Sequence, residues 1–206
     1  MIEFFEYGNE EIEYLKKKDA RLGEAIDAIG KIERAVNPDI FSSLINTIVG
    51  QQISTKAQKT VWRRMNEGLG AITPATIDNI LLEDLQKFGL SFRKAEYMKY
   101  AANMIVSGEL DIDALYDMTD AEVIAELTKL HGVGVWTAEI LMLFSMQRPD
   151  VVSYGDLGII RGMKMLYGHE KITKPIFNEY KKRYSPYGSV ASLYLWQVSS
   201  GEYLDL

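Results

Sequence analysis

The sequence predicts an all-α protein, and three observations carry that prediction. Apolar residues recur at three- and four-residue steps along nearly the whole chain, the spacing of one helix face. Helix-start signals stand ahead of several of these runs, at Thr73-Pro74, Ser91 and Thr119. Strand patterns are scarce, and the best short candidate, Val151-Val152, reads better as a loop.

The elements follow in order. The first 38 or so residues read as helix. Phe41, Leu44, Ile45, Ile48 and Val49, then Ala57, Val61 and Met65, mark the next apolar face. Ile72-Thr73-Pro74 has the form of a cap followed by proline at the first helical position. Ser91 caps a run through Tyr97 and Ile105 that stops near Gly108, where glycine ends helices well. Thr119 and Glu122 stand at capping-box spacing ahead of Val123, Ile124 and Leu127. Residues 137–146 are apolar almost all round, as in a buried helix. Helical patterns then cover Leu157–Tyr167, Lys174–Tyr184 and residues 189–199. No repeat, low-complexity tract or long linker interrupts them.

Composition bounds the function. With 206 residues, 47% of them hydrophobic and 25% charged, the chain can fold as one substantial domain or as two small lobes. No apolar stretch approaches the roughly 20 residues that span a bilayer. The start, Met1-Ile2-Glu3-Phe4-Phe5-Glu6, is acidic and lacks the pattern of a signal peptide. An intracellular protein is expected, cytoplasmic if the source is a prokaryote. There is no cysteine, which excludes disulfides, thiol nucleophiles, thiolate zinc sites and iron–sulfur clusters. With only His131 and His169, a histidine-rich metal centre is not expected either. The chemistry must come from carboxylates, hydroxyls, aromatics and lysines.

The net charge of −6 argues against a polyanionic partner, because phosphate contacts need local positive potential. Its distribution softens the objection. Residues 1–33 carry nine acidic and five basic side chains, a net of −4, so the remaining 173 residues carry only −2. Basic residues cluster at Lys56/Lys59/Arg63/Arg64, at Arg93/Lys94 and at Lys181/Lys182/Arg183. Each cluster reads equally well as a solvated helix face or as a phosphate contact.

The most informative segment is Leu130-His131-Gly132-Val133-Gly134-Val135-Trp136-Thr137-Ala138, between two predicted helices. A Gly-x-Gly turn opens backbone conformations closed to other residues and lets another molecule approach closely. The helix that follows offers unpaired amides and a positive dipole end to a phosphate. A bare Gly-x-Gly is also an ordinary tight turn; the longer pattern is far more specific. It resembles the helix-hairpin-helix motif of DNA-binding and DNA-repair proteins. About twenty residues on comes Val151-Val152-Ser153-Tyr154-Gly155-Asp156-Leu157-Gly158-Ile159-Ile160-Arg161-Gly162. By itself Asp156 is a good N-cap for the next helix. After the hairpin, the segment resembles the loop and aspartate of the helix-hairpin-helix-Gly/Pro-Asp glycosylase superfamily, and the resemblance makes Asp156 the catalytic carboxylate. Both roles can hold at once.

The resemblance runs from about residue 40 to about 200. Phe41 to Ala57 and Gly89-Leu90-Ser91-Phe92-Arg93-Lys94-Ala95 are similar to the 3-methyladenine DNA glycosylase II branch. It implies two helical lobes, one of about 1–38 with 147–206 and one of about 39–146, with the active cleft between them. The N-terminal β domain common in bacterial members of the branch is not expected, since only about 38 residues precede the match. The implied activity is excision of damaged bases, above all alkylated purines, from double-stranded DNA by a monomer. Each target nucleotide would be flipped out of the duplex. Cleaving the N-glycosidic bond builds positive charge on the sugar, which a fixed carboxylate stabilises. Related bifunctional enzymes carry a Schiff-base lysine where this chain has Trp136, so strand cleavage is not expected.

By the same resemblance Trp136 lines the base pocket, with Tyr154, Ile140 and Leu157 beside it. Trp196 reads equally as a second pocket tryptophan or as a core aromatic. Gln52 matches the residue that fills the gap left by the flipped base, or is a polar residue of a surface turn. Gly132, Val133, Gly134 and Thr137 are the implied contacts to the DNA backbone. No cofactor is required. Hairpins of the family often hold a monovalent cation on backbone carbonyls, and Thr128, Leu130 and Val133 are the matching donors. The competing readings are a non-catalytic hairpin module, a glycosylase/lyase for oxidised bases, and a structural interaction domain.

Overall fold

The computed structural model describes residues 3–201. The reading of Met1 and Ile2, and of the last five residues of the expected C-terminal lobe, 202–206, lies outside them. The described chain is mostly helical, as the periodicity predicts. The exception is at its start. β1 (Glu3–Phe4) pairs antiparallel with β2 (Ala35–Val36), Glu3 opposite Val36 and Phe4 opposite Ala35, around α1 (Asn9–Lys18) and α2 (Ala20–Ile29). The N-terminal stretch expected as helix is therefore two helices closed by a short ladder. Two-residue strands carry no alternation for a sequence to display.

Then follow α3 (Ile40–Gly50), α4 (Thr55–Leu69), α5 (Pro74–Asn79), α6 (Leu82–Lys87) and α7 (Phe92–Val106). A 3-10 turn at Asp113–Asp117 leads to α8 (Asp120–Leu127), α9 (Val135–Phe144), α10 (Leu157–Tyr167), α11 (Lys174–Tyr184) and α12 (Gly188–Ser200). Side-chain caps explain most of the starts. Asp39, Ser54, Thr73 and Ser91 each accept the amide three residues on. Thr119 and Glu122 form the full capping box, with Thr119 N donating to Glu122 Oε2 at 2.8 Å. Each such cap stabilises its helix by about 1 kcal/mol.

The chain forms two compact units. One is Asn37–Leu141; the other joins the chain up to Val36 to the chain from Met142 onward, the boundaries falling just after β2 and within α9. In the first unit α7 packs against α3, α5 and α6 over a core that includes Ile45, Ile48, Met65, Ile77 and Met98. In the second, α12 is buried along most of its length and packs against α10, α2, α1 and α11. A Cβ at Gly162 would stand 2.1 Å from the Leu195 carbonyl oxygen, so a glycine lets α10 approach α12 this closely. Asp19, 4% exposed, caps α2 and accepts Tyr167 Oη at 3.0 Å and Arg183 Nη1 at 2.8 Å. That buried carboxylate ties α2 to α10 and α11. Burial pushes the Tyr167 and Tyr184 hydroxyls far above their ordinary pKa, so both stay neutral. Among the described residues no helix is long and apolar enough to cross a membrane.

Candidate active site

The hairpin joins α8 to α9 within the 37–141 unit. Leu130 N bonds back to Leu127 O and Val133 N to Leu130 O, each at 3.1 Å, and Gly134 O accepts Ala138 N at 3.1 Å as α9 begins. The two glycines differ. Gly132 has φ 77°, and a Cβ there would stand 2.2 Å from Tyr97 Cδ2, so the fold demands glycine twice over. Gly134 does not have a left-handed φ, and a Cβ there would meet nothing within 4 Å. Of the two properties expected of the Gly-x-Gly turn, Gly132 has the unusual backbone, and Gly134, bare of a side chain, leaves room beside the first amides of α9. Val133 and Thr137 are 7% and 4% exposed. Their side chains belong to the core; Val133 N is already given to Leu130 O, so of the two only Thr137 can offer a phosphate its backbone N–H. Val135 and Trp136 are exposed at the same helix start.

A pocket of about 640 Å³ opens beside the hairpin, lined in part by Gln51, Gln52, Arg93, Gly132, Trp136 and Ile140. It brings together four residues singled out from the sequence: Gln52, Gly132, Trp136 and Ile140. Gln52 sits in the α3–α4 turn at φ 57°, a left-handed conformation that costs a non-glycine residue about 1 kcal/mol or more. Its turn is tied down on each side. Gln51 Nε2 donates to Gly132 O at 2.9 Å, and Gln58 Nε2 donates to Asn46 O at 3.0 Å. Lys94 Nζ donates to Val49 O at 2.8 Å, and burial lowers its pKa. Lys94 is therefore occupied in holding the end of α3, which removes it from the basic Arg93/Lys94 cluster. Gln51 and Tyr97 are site residues that sequence reasoning missed; the Gln51 bond joins positions 81 apart.

Asp156 lies in the other unit. The residue is 8% exposed, and its Oδ1 accepts both Ile159 N at 3.0 Å and Trp196 Nε1 at 2.9 Å. It is the N-cap of α10, as one sequence reading requires. The Trp196 indole stacks on Phe144, centroids 5.5 Å apart, and the Arg34 guanidinium lies 4.8 Å from the Phe144 ring. A Cβ at Gly158 would come within 2.6 Å of Trp196 Cδ1, so glycine makes room for the indole. Leu157, 85% exposed, and Tyr154 flank the aspartate in sequence. Tyr154 meets Phe177 edge-on at 5.1 Å, with Lys174 Nζ 4.4 Å from its ring centroid. The result is an orientation-fixed, largely desolvated carboxylate that can stabilise a neighbouring positive charge.

Among the described residues no three His, Asp or Glu side chains gather as a metal site would need. A cation at the hairpin would have to rest on carbonyl oxygens. Of the three candidates, Leu130 O already accepts Val133 N, and a carbonyl oxygen retains a second lone pair.

A hairpin between two helices, followed some twenty residues later by an aspartate that caps the next helix, defines a class of DNA-repair proteins. The chain belongs to the HhH-GPD superfamily of base excision DNA repair proteins, whose family model matches residues 45–186. It is 31% identical over 165 residues to DNA-3-methyladenine glycosylase 1 of Schizosaccharomyces pombe, covering 77% of this chain and 72% of that one. It is similar to the crystal structure of a DNA-3-methyladenine glycosidase from Bacillus halodurans, with a TM-score of 0.88 at 34% identity, over 99% of this chain and 95% of that one. The Schizosaccharomyces pombe 3-methyladenine DNA glycosylase in complex with abasic DNA matches with a TM-score of 0.82 at 26% identity, over 93% and 97% of the two chains. Two relatives from Bacillus subtilis are longer, and the chain spans 58% and 57% of their lengths.

Proposed function

We propose that the protein is a monofunctional DNA-3-methyladenine-type glycosylase, which releases alkylated purines from double-stranded DNA as a monomer. The observation that carries the reading is Asp156, a buried carboxylate held at one oxygen by two N–H donors. As the bond between base and sugar breaks, the sugar gains cationic character, and a pre-oriented anion in a dry site lowers that barrier without reorganising. The hairpin supplies the grip on the DNA backbone through the amides around Gly134 and the start of α9. Thr128, Leu130 and Val133 carbonyls are the donors for a monovalent cation there, which would add positive charge beside a phosphate. Gln52 occupies the gap in the duplex, and Trp136 and Ile140 receive the flipped base in the adjoining pocket.

Two points favour cationic alkylpurines over neutral bases. An alkylated purine with a formal positive charge leaves without a general acid, and the sequence offers no cysteine and only two histidines for that task. A positive ring against Trp136 also gains a cation–π attraction of about 0.5–2 kcal/mol. The test is base release from duplexes that contain 3-methyladenine, 7-methylguanine, ethenoadenine, hypoxanthine, uracil or 8-oxoguanine. The methylated purines should leave first. Faster release of uracil or 8-oxoguanine would overturn the alkylation assignment, and release of none by the folded protein would overturn the enzyme.

A further inference from the structure

The loop that delivers Asp156 is bonded to α12 over three successive turns. At the helix start, the Asp150 carboxylate accepts Gly188 N at 3.0 Å and Ser185 Oγ at 2.5 Å, while Ser189 N donates to Pro149 O at 3.0 Å. Val151 is gripped at both polar atoms: its N–H donates to Ser189 Oγ at 2.9 Å, and its carbonyl accepts Ser192 Oγ at 2.8 Å. One turn further, Trp196 Nε1 reaches Asp156 Oδ1 at 2.9 Å. Residues 188 and 189, 192 and 196 stand three to four apart, so they share one face of α12. Ser189 and Ser192 are fully buried, which makes their hydroxyls costly in a core unless they hold something. One face of the Trp196 ring is covered by Phe144, and its single donor is committed to the aspartate.

We infer that Trp196 is a positioning residue that acts through its indole N–H on Asp156, with Ser189 and Ser192 setting the register of the loop along α12. The inference rests on the glycosylase reading above. It differs from a pocket role for Trp196, in which the ring face would stack on the base. A charge-assisted bond to a carboxylate is among the stronger hydrogen bonds. Misplacing a reacting group by about 1 Å can lower a rate on the order of 10²-fold.

Trp196→Phe separates the two roles, because phenylalanine keeps an aromatic face and loses the N–H. The measurements are single-turnover release of 3-methyladenine at saturating enzyme, duplex Kd, and thermal melting followed by circular dichroism. Expected is a rate lower by about 10- to 100-fold, with the Kd for duplex changed by less than about twofold and a cooperative melt retained. Ser192→Ala, which frees the Val151 carbonyl and touches neither base nor aspartate, should lower the rate less but in the same sense, again without a change in Kd. A folded Trp196→Phe protein that releases base at the wild-type rate would overturn the inference, as would a loss confined to Kd. Should Trp196→Phe fail to fold, Ser192→Ala decides on the same two readouts. Wild type and Asp156→Asn accompany both variants. An inactive wild type, or an active Asp156→Asn, would overturn the glycosylase reading itself and this inference with it.

Discussion

On the proposed function Asp156 does two jobs with one side chain, and they can be separated by a single atom. As a cap it needs only an oxygen to accept Ile159 N. As a catalyst it needs the negative charge. Asparagine caps helices about as well as aspartate, so Asp156→Asn should melt close to wild type and bind duplex normally. Its base-release rate should fall on the order of 10²–10³-fold or more. Near-normal turnover would remove Asp156 from the chemistry. Trp136 makes a second claim at this scale. It has no amine, so borohydride should trap no enzyme–DNA adduct and product strands should stay intact until heat or base is applied; a trapped adduct would point to Lys56 or Lys164 as the nucleophile. Asp156 as the cap of α10 was legible because it stands directly ahead of an apolar helical run. The bond from Trp196 to Asp156 was not, since it joins positions 40 apart on different elements and periodicity reports only which face is apolar.

At the scale of the element, the hairpin separates what the fold needs from what a ligand needs. Gly132→Ala forces a Cβ onto Tyr97 at a left-handed backbone position. It should destabilise the protein by about 1–3 kcal/mol, seen as a lower Tm with or without DNA. Gly134→Ala meets open space in the protein and should melt normally, yet weaken binding to all duplexes alike, because phosphates carry no sequence information. Normal affinity in that folded variant would make the hairpin structural only. Helix starts with capping side chains were readable from the sequence: Thr73, Ser91, Thr119 and Asp156 each sit where expected. α9 was not placed as well. It runs Val135–Phe144 rather than over residues 137–146, because an all-round apolar segment offers no stripe to fix its ends. The β1–β2 ladder escaped for lack of length, and the Gln51 tether because its partner is a backbone carbonyl, invisible in any residue pattern.

Over the whole molecule, the proposed function asks a chain of net charge −6 to meet a polyanion, and the disposition of its cations bears on how it would. Arg63 is paired with Glu67, Lys129 with Glu126 and Arg183 with Asp19, while Lys94 holds a backbone carbonyl. Each is thereby drawn away from phosphate duty, and backbone amides displace few counterions. Affinity for duplex should therefore fall by only about 10- to 100-fold between 50 and 200 mM salt, the loss expected for roughly two to four neutralised phosphates rather than six to ten. A titration across that range gives the slope, and a loss above about 10³-fold would show that the basic helix faces carry the binding. A dual role of Asp156, as proposed above, would have a consequence in the living cell. Aspartate and asparagine codons differ by one base, so a single point mutation at this codon need not yield a misfolded protein for proteases to clear. On the proposed function it should yield a durable one that binds alkylated sites without turning them over. Cells that express Asp156→Asn beside the normal copy should die at lower doses of a methylating agent than cells lacking the gene product altogether.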